Sequence, residues 1–184
     1  MRIIAGLAKG RSLHTPKGQA TRPTADRVKE AIFSTLADRI NKARVLDAFA
    51  GSGALGLEAL SRGAKEAVFT EKDRSAFAAL HKNIQMLDLP GAKAYFADCL
   101  RLISTWKEEK RQFDLVFLDP PYGKGLVDKA LAMIQSADLL APEAIVIIET
   151  AAKDSEVFLP QGLNLLKTAR YGDTSISYYI KDCI

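Results

Sequence analysis

The four consecutive residues Asp119-Pro120-Pro121-Tyr122 combine groups that can act on an aromatic amine. The exocyclic amine of a nucleobase is a weak nucleophile, because its lone pair is delocalised into the ring. The Asp119 carboxylate and the Pro120 carbonyl can accept hydrogen bonds from such an amine, and the Tyr122 ring can stack on the base. Since fixed acceptors need little reorganisation at the transition state, the pattern predicts chemistry on a base amine. In the simpler interpretation, the prolines only end a strand and Tyr122 only packs.

The segment DAFAGSGALG, residues 47–56, predicts a nucleotide site. Its glycines Gly51, Gly53 and Gly56 match the GxGxxG pattern that links a strand to a helix in nucleotide-binding folds. Glycines there let the backbone approach a ligand closely. Glu71, about 20 residues further on, could accept hydrogen bonds from ribose hydroxyls. This pattern alone also permits a nicotinamide dinucleotide.

Asp47 indicates which of the two candidate cofactors, a nicotinamide dinucleotide or S-adenosylmethionine, the site would bind. A carboxylate so close to the glycines would repel a pyrophosphate, but it would attract the ammonium and sulfonium charges of S-adenosylmethionine. We therefore favour S-adenosylmethionine, while an alternative role of Asp47 as a turn acid without a ligand stays open. Asp98 could accept a hydrogen bond from the adenine amine, cap the following helix, or do both.

Alternating strand and helix patterns position these residues. Short, nearly continuous apolar runs, typical of strands covered on both faces of a parallel sheet, occupy 45–49, 66–71, 93–97, 114–119 and 144–149. Helical patterns occupy about 53–62, 74–88, 99–111, 125–137 and 151–157. Two final strands, 163–171 and 175–181, flank the turn Gly172-Asp173 and predict an antiparallel hairpin.

The sequence therefore predicts an α/β fold with a doubly wound, Rossmann-like sheet of seven strands, closed by a C-terminal hairpin. Ligands bind at the carboxyl ends of parallel strands in such sheets. We therefore expect Asp119 to lie on the same edge of the sheet as Gly51, Glu71 and Asp98.

The region ahead of the sheet is basic. Residues 1–44 carry ten Lys or Arg against three acids, a net +7, whereas residues 45–184 carry 16 basic and 19 acidic residues, a net −3. Residues 3–14 indicate a hairpin or two short strands. A helix with apolar residues every fourth position follows from Thr24, a candidate N-cap. Such a patch attracts phosphates by counterion release, and an ordinary solvated surface is the alternative.

Length and composition limit the class of protein. The 184 residues, 48% of them hydrophobic, suffice for one domain with a core and exclude intrinsic disorder. The two cysteines, Cys99 and Cys183, cannot form a disulfide framework, which favours a cytoplasmic protein. The sequence contains neither a signal-peptide pattern nor an apolar run of ~18 residues. Because His14 and His81 stand apart from any Cys/His cluster, we expect no metal.

Several segments together resemble one family. RIIAGLAKGRSL, TRPTADRVKEAIF, DAFAGSGALGLEALSRGA, FTEKD and DPPY are similar to motifs of the RsmD family of 16S ribosomal RNA guanine-N2 methyltransferases, which are class I S-adenosylmethionine-dependent enzymes. The resemblance covers nearly the whole chain. The glycine and DPPY motifs are widespread among amino-methyltransferases, whereas the TRPT-x-DRV segment narrows the match.

The resemblance implies a role for each of these motifs. The cofactor would be bound by the loop after the first strand, with Glu71 on the ribose and Asp98 near the adenine; the loop residues are Asp47, Phe49, Gly51 and Gly53. Asp119, Pro120 and Tyr122 would serve the target guanine. The reaction would be a direct displacement at the methyl carbon, without a covalent enzyme intermediate.

The resemblance also implies two parts of the chain. Residues 1–43 would form a basic, RNA-facing extension, and residues 44–184 would form the methyltransferase domain. The candidate RNA-binding residues are Arg11, Arg22, Arg27 and Lys29. The expected substrate is 16S ribosomal RNA, within an assembly intermediate of the small subunit, and the expected state is a monomer.

The sequence leaves three alternative functions open. The first is a related amino-methyltransferase that acts on DNA adenine N6 or on a protein glutamine. The second is a nicotinamide-dependent oxidoreductase, against which Asp47 and DPPY argue. The third is a ribosome-assembly binding protein that has kept the fold without the activity.

Overall fold

The computed structural model describes residues 1–16, 23–121, 125–153 and 161–182, and for residues 23–25 only the backbone is described. Its helices are α1 (Pro23–Leu36), α2 (Ala54–Ser61), α3 (Arg74–Leu87), α4 (Cys99–Glu108) and α5 (Leu126–Ser136), with a 3-10 turn at Ala37–Arg39. Its strands are β1 (Arg44–Asp47), β2 (Glu66–Glu71), β3 (Ala92–Phe96), β4 (Phe113–Leu118), β5 (Leu140–Ala151), β6 (Leu163–Tyr171) and β7 (Thr174–Lys181).

Across the described ranges, seven strands form one sheet in the order β3-β2-β1-β4-β5-β7-β6. Strands β1 to β5 pair in parallel, and β7 is antiparallel to both β5 and β6. This arrangement confirms the predicted doubly wound sheet with its C-terminal hairpin. The strand order reverses between β1 and β4, where a doubly wound sheet opens a crevice for ligands.

The continuous apolar runs arise because both faces of the sheet are covered. Val45 belongs to a core on the side of α1, α2 and α3, and Leu46 to a second core on the side of α4 and α5. Successive side chains of a strand point to opposite faces, so each core takes every second residue. The two layers of helices hold the sheet edge, and therefore the loops on it, in a fixed position.

The N-terminal segment is a short chain reversal that packs on the first core. Arg2 and Ser12 form an isolated antiparallel bridge, and the Ile3 N–H donates to the Arg11 carbonyl at 2.9 Å. Ile3 and Leu13 are buried in the same core as Ile32 and Val45. The extension therefore has the hairpin form that the sequence suggested, and it shares its core with the sheet.

Some predicted boundaries are wrong. Helix α1 begins at Pro23, so Thr24 lies inside its first turn and is not the N-cap; proline suits the first helical position because that N–H needs no partner. A helix over 151–157 is contradicted at its start, because Ala151 still pairs with Thr174 in the sheet and residues 152–153 form a turn. Residues 154–157 lie outside the described ranges. Helix α4 ends at Glu108, and Lys110 is left-handed, with φ 52°.

Among the helices in the described part of the chain, none combines the length and the apolar character needed to span a membrane.

Candidate active site

A pocket of about 400 Å³ opens at the carboxyl ends of β1, β4 and β5. Its wall includes Asp47 and Gly51 of the loop after β1, Asp119 after β4 and Glu149 of β5. The strand register explains why these residues meet, since Asp47 pairs with Phe117 of β4 and Leu118 pairs with Ile148 of β5. A pocket of this volume lies within the range of ~300–1,000 Å³ that small-molecule sites occupy. The predicted common edge for Gly51 and Asp119 is therefore present.

Asp47 carries the most deeply buried carboxylate of this wall. It is 3% exposed and accepts a hydrogen bond from the Gly56 N–H at 3.0 Å. The pKa of Asp47 is raised to about 7, mainly because the carboxyl group is buried. The hydrogen bond from the Gly56 N–H opposes this shift, and the nearby Glu71 carboxylate adds to it. A buried acid with this pKa gains from a cationic ligand, because the positive charge replaces the hydration that the carboxylate has lost.

The two predicted loop glycines have different surroundings. Gly51 has φ +55° and lines the pocket, and a Cβ at this position would meet nothing within 4 Å, so the backbone is open to a ligand. Gly53 has φ +83°, and a Cβ there would lie 2.4 Å from Cδ1 of Leu80. Gly53 is therefore required by its conformation and by packing against α3. Gly51 and Phe49 line the pocket, and Gly53 does not.

Glu71 fixes the position of the cofactor loop. One of its carboxylate oxygens accepts from the Gly51 N–H at 2.8 Å, and the other accepts from the Asp73 N–H at 2.7 Å. Each carboxylate oxygen has a second lone pair, so both bonds are compatible with a further hydrogen bond from a ribose hydroxyl. The contact with ribose stays a prediction.

Asp98 is the N-cap of α4, as predicted. Its side chain accepts from the Leu100 N–H at 3.1 Å and pairs with Lys72 at 3.2 Å. Partial burial opposes ionisation, but these two partners hold the pKa of Asp98 below its ordinary value. Asp98 follows β3, whose Phe96 pairs with Glu71, so it lies on the expected edge of the sheet. Its contact with adenine stays a prediction.

Asp119 shares the pocket with two other carboxylates, those of Glu149 and Asp47. Although Asp119 is an exposed residue, the protein atoms around its carboxyl group disfavour the charged form, and Glu149 and Asp47 repel that charge. The pKa of Asp119 is therefore raised above its ordinary value. Pro120 is buried directly after it. Tyr122 lies outside the described residues, so its stacking role stays a prediction.

The predicted RNA-binding residues have different environments. Arg11 is exposed and its guanidinium donates to the Met86 carbonyl at 3.2 Å, and Arg27 is exposed on α1. Arg22 lies outside the described residues. The prediction that Lys29 binds RNA is wrong, because this side chain is buried. Lys29 is 3% exposed, pairs with Glu58 at 3.0 Å and donates to the Arg2 carbonyl. Its ammonium therefore serves the interior and is not part of an exposed basic surface.

Asn83 of α3 links the N-terminal segment to the cofactor loop. Its side-chain oxygen accepts from the His14 N–H at 2.7 Å, and its amide nitrogen donates at 2.9 Å to the carbonyls of His14 and Ser52. Asn83 is 0% exposed. The chain leading toward the basic helix and the loop that lines the pocket are therefore held by one buried side chain.

Glu149 and the β6–β7 turn, Tyr171 to Thr174, line the pocket, although the sequence patterns did not predict them as parts of the site. One signal was present, since Glu149 ends the apolar run 144–149 as Asp119 ends the run 114–119. Tyr171 and Thr174 reach the pocket only because β7 pairs with β5. Within the described ranges no group of three or more His, Cys, Asp or Glu could hold a metal ion.

The strand order and the acid-bearing glycine loop at the reversal of that order define a class I methyltransferase. The family model described as "Conserved hypothetical protein 95" matches residues 1–180. Ribosomal RNA small subunit methyltransferase D of Haemophilus influenzae is 40% identical, over 97% of this chain and 93% of that protein. The Escherichia coli protein of the same name is 34% identical, over 99% and 90%. The chain therefore belongs to the ribosomal RNA small subunit methyltransferase D family, and it is an enzyme.

Solved structures agree with this assignment. The Escherichia coli protein yhhF superposes with a TM-score of 0.88 at 32% identity, covering 99% of this chain and 98% of that chain. A 16S rRNA N2 G1207 methyltransferase of Thermus thermophilus, solved with AdoMet and guanosine, gives a TM-score of 0.64 at 23% identity and covers 91% of this chain and 45% of that one. This second likeness shows the fold alone.

Proposed function

We propose that this enzyme transfers a methyl group from S-adenosylmethionine to the exocyclic N2 of a guanine in 16S ribosomal RNA. The observation that carries the proposal is that the Asp47–Gly51 loop and Asp119 open into one pocket at one edge of the sheet. A methyl donor on the loop and an acceptor amine on Asp119 would then be neighbours. Relatives of nearly equal length named ribosomal RNA small subunit methyltransferase D support the choice of RNA.

The residues of the pocket fit S-adenosylmethionine. The buried Asp47 carboxylate, with its pKa of about 7, suits the cationic methionine end, and the open backbone at Gly51 leaves room beside it. Glu71 lies next to Gly51 and suits the ribose hydroxyls, and Asp98 lies further along the same edge, toward the adenine. When bound, the cofactor supplies a methyl group on a sulfonium, which an amine nitrogen displaces directly.

Asp119 and Pro120 serve the acceptor. The Asp119 carboxylate and the Pro120 carbonyl accept hydrogen bonds from the guanine amine, which directs its lone pair away from the ring and toward the methyl group. These acceptors directly follow the last residue of β4, so the strand positions them before the base arrives. Tyr122 stacks on the base and holds it out of the RNA.

The basic extension, residues 1–43, faces the RNA in this proposal. Arg11 and Arg27 present exposed guanidinium groups on it, and Arg22 completes the set. The substrate is an assembly intermediate of the small subunit, and the enzyme acts as a monomer in the cytoplasm. The methyltransferase domain proper is then residues 44–184.

A labelling experiment tests the function. Tritiated S-adenosylmethionine is incubated with the enzyme and separate pools of small-subunit particles, naked ribosomal RNA, DNA and protein, all from a strain that lacks this enzyme. We expect label in 16S RNA alone, at N2 of one guanine when the labelled nucleotide is mapped. Label in DNA adenine or in protein glutamine would instead establish one of the alternative amino-methyltransferases.

A further inference from the structure

Glu149 lies beside the acceptor carboxylate. Leu118 and Ile148 are register partners in the parallel pair of β4 and β5, so the next residue of each strand, Asp119 and Glu149, emerges at the same level. Both line the pocket that Asp47 closes from β1. Adjacent strands are about 4.8 Å apart, so two carboxylates at this position can reach neighbouring atoms of one base.

The Watson–Crick edge of guanine presents two adjacent hydrogen-bond donors, one for each carboxylate. Guanine carries its N2 amine next to the ring N1–H, so two adjacent groups of that edge are hydrogen-bond donors. Adenine carries its N6 amine next to an unprotonated ring nitrogen, which is an acceptor and repels a carboxylate. A second acid beside the amine-binding acid therefore distinguishes the two purines.

We propose that Glu149 is a specificity-determining residue that accepts the N1–H of the target guanine while Asp119 accepts from its N2 amine. The proposal rests on the proposed function and deepens it, because it names the group that selects guanine over adenine.

The electrostatics of the pocket support this pairing. The titratable side chains that line it are those of Lys29, Asp47, Asp119, Glu149, Tyr171 and Asp173, and Met1, which carries an α-amino group, lines it as well. Glu149 and Asp47 both repel the negative charge of Asp119, which raises the pKa of Asp119. A base edge that presents only donors relieves this repulsion, whereas an edge with an acceptor increases it.

Nucleoside binding tests the proposal in the full-length protein saturated with S-adenosylhomocysteine. The Kd values of guanosine, inosine and 1-methylguanosine are measured by titration for the wild-type protein and for Glu149→Ala. Inosine keeps the N1–H and lacks the amine, whereas 1-methylguanosine keeps the amine and lacks the N1–H. We expect Glu149→Ala to raise the Kd of guanosine and of inosine about tenfold each, as for a lost hydrogen bond to a charged group. The Kd of 1-methylguanosine should stay nearly unchanged.

A conservative variant extends the test. Glu149→Gln keeps the side-chain volume and adds an N–H that can donate to adenine N1, so its ratio of guanosine to adenosine affinity should fall about tenfold or more. Glu143→Gln is the matched control, because Glu143 is an exposed residue near the other end of the same strand and should leave the ratio unchanged.

Two results would overturn the assignment. One is an equal loss for all three nucleosides in Glu149→Ala together with an unchanged purine ratio in Glu149→Gln, which would indicate a structural role. The other is a wild-type protein that binds no nucleoside or does not distinguish them. The labelling experiment separates this failure from failure of the proposed function, because methylation of 16S RNA at guanine N2 by the wild-type enzyme does not depend on which residue reads N1.

Discussion

At the scale of single residues, the site is built around carboxylates that are costly to ionise in the protein without ligands. Asp47 is 3% exposed and Asp119 shares the pocket with Glu149, and the pKa values of both Asp47 and Asp119 are raised. The raised pKa of Asp47 means that the folded chain binds its proton more tightly than the unfolded chain does. The stability of the protein without cofactor is therefore linked to pH through this residue.

The sign of this linkage predicts a pH effect. Because the pKa of Asp47 rises from 3.8 to about 7 on folding, its contribution to stability is present below pH 4 and is lost as the pH rises through 7. The loss is on the order of 4 kcal/mol. We expect Asp47→Asn to unfold at higher urea concentration than wild type at pH 8 and to show a smaller advantage at pH 5, both without cofactor. Equal pH dependence in the two proteins would contradict the burial of an ionisable Asp47.

The second residue-scale prediction concerns Asp119. Removing its carboxylate with Asp119→Ala removes a fixed acceptor for the amine, so we expect the methylation rate to fall about 100-fold or more. The Kd of S-adenosylhomocysteine, measured by calorimetry, should change less than about threefold, because the cofactor loop belongs to β1. Wild-type turnover in this variant, with Glu143→Gln as its control, would remove Asp119 from the acceptor site.

At the scale of elements, α2 connects the cofactor loop to the N-terminal extension. Glu58 of this helix is 0% exposed and accepts from the backbone N–H groups of Ile4 and Ala5, at 2.8 and 3.0 Å. It also pairs with Lys29 and Arg62. Ser61, one turn further on, accepts from the Ala8 N–H and donates to the Ala5 carbonyl. The helix that begins at the pocket therefore ends as the anchor of residues 1–8 and of α1.

The buried ion pair of this anchor can be tested by stability measurements. Glu58→Gln leaves the Lys29 ammonium buried without its carboxylate, so we expect the free energy of unfolding to fall by about 3 kcal/mol. The double variant Glu58→Gln, Lys29→Met removes the charge and should recover part of this loss. Glu66→Gln, which breaks a pair with the half-exposed Lys93, should cost less than about 1 kcal/mol. Equal losses for Glu58→Gln and Glu66→Gln in urea unfolding would contradict the role of the buried pair.

The sequence predicted the parallel strands because each of them has a local pattern that can be recognised without its neighbours. A strand covered on both faces must be apolar throughout, so runs such as 66–71 and 114–119 show their state without knowledge of the partners. Asp47 and Asp119 stand where the first and fourth strands end, so the topology alone places both acids on one edge of the sheet. The predicted helix at 151–157 was wrong at its start because pairing with β7 extends β5 through Ala151, and pairing with a distant strand is not visible in a local pattern.

Contacts between residues distant in the chain also explain which features of the site the sequence could not show. Lys29 has the sequence context of a basic surface helix, and only the fold brings Glu58 within 3.0 Å of its ammonium. Tyr171 and Thr174 reach the pocket through the hairpin, whose position depends on the pairing of β5 with β7. Glu149 did have a local signal, but its importance follows from its register with Asp119, which needs both strands.

At the scale of the whole molecule, charge is distributed unevenly along the chain. Residues 1–44 carry a net +7 and the remainder a net −3. Phosphates of an RNA would therefore be attracted mainly to the extension, whereas the acids of the pocket repel them. The RNA would then be attracted to the basic extension, and the cationic cofactor to the acidic pocket.

This distribution predicts a salt effect. If Arg11 and Arg27 each neutralise one phosphate, the variant Arg11→Ala, Arg27→Ala should bind small-subunit RNA more weakly and with a slope of log affinity against log salt that is smaller by about 1.5. The matched control is Lys107→Ala, Lys110→Ala. These residues are exposed at the end of α4 that leads into the start of β4, opposite the pocket. Filter binding at several salt concentrations measures both slopes, and equal slopes would contradict an RNA-facing extension.

The shared core has a consequence for exchanging parts between enzymes. The extension is bound by Glu58 and Ser61 of α2 and by Asn83 of α3, and its Ile3 and Leu13 fill the same interior as Val45. A chimera that receives only residues 1–43 would therefore need a recipient that supplies those three side chains and an interior complementary to Ile3 and Leu13. If the extension recognises the RNA, as we propose, its specificity can be altered without disturbing this interior only through exposed side chains such as those of Arg11 and Arg27.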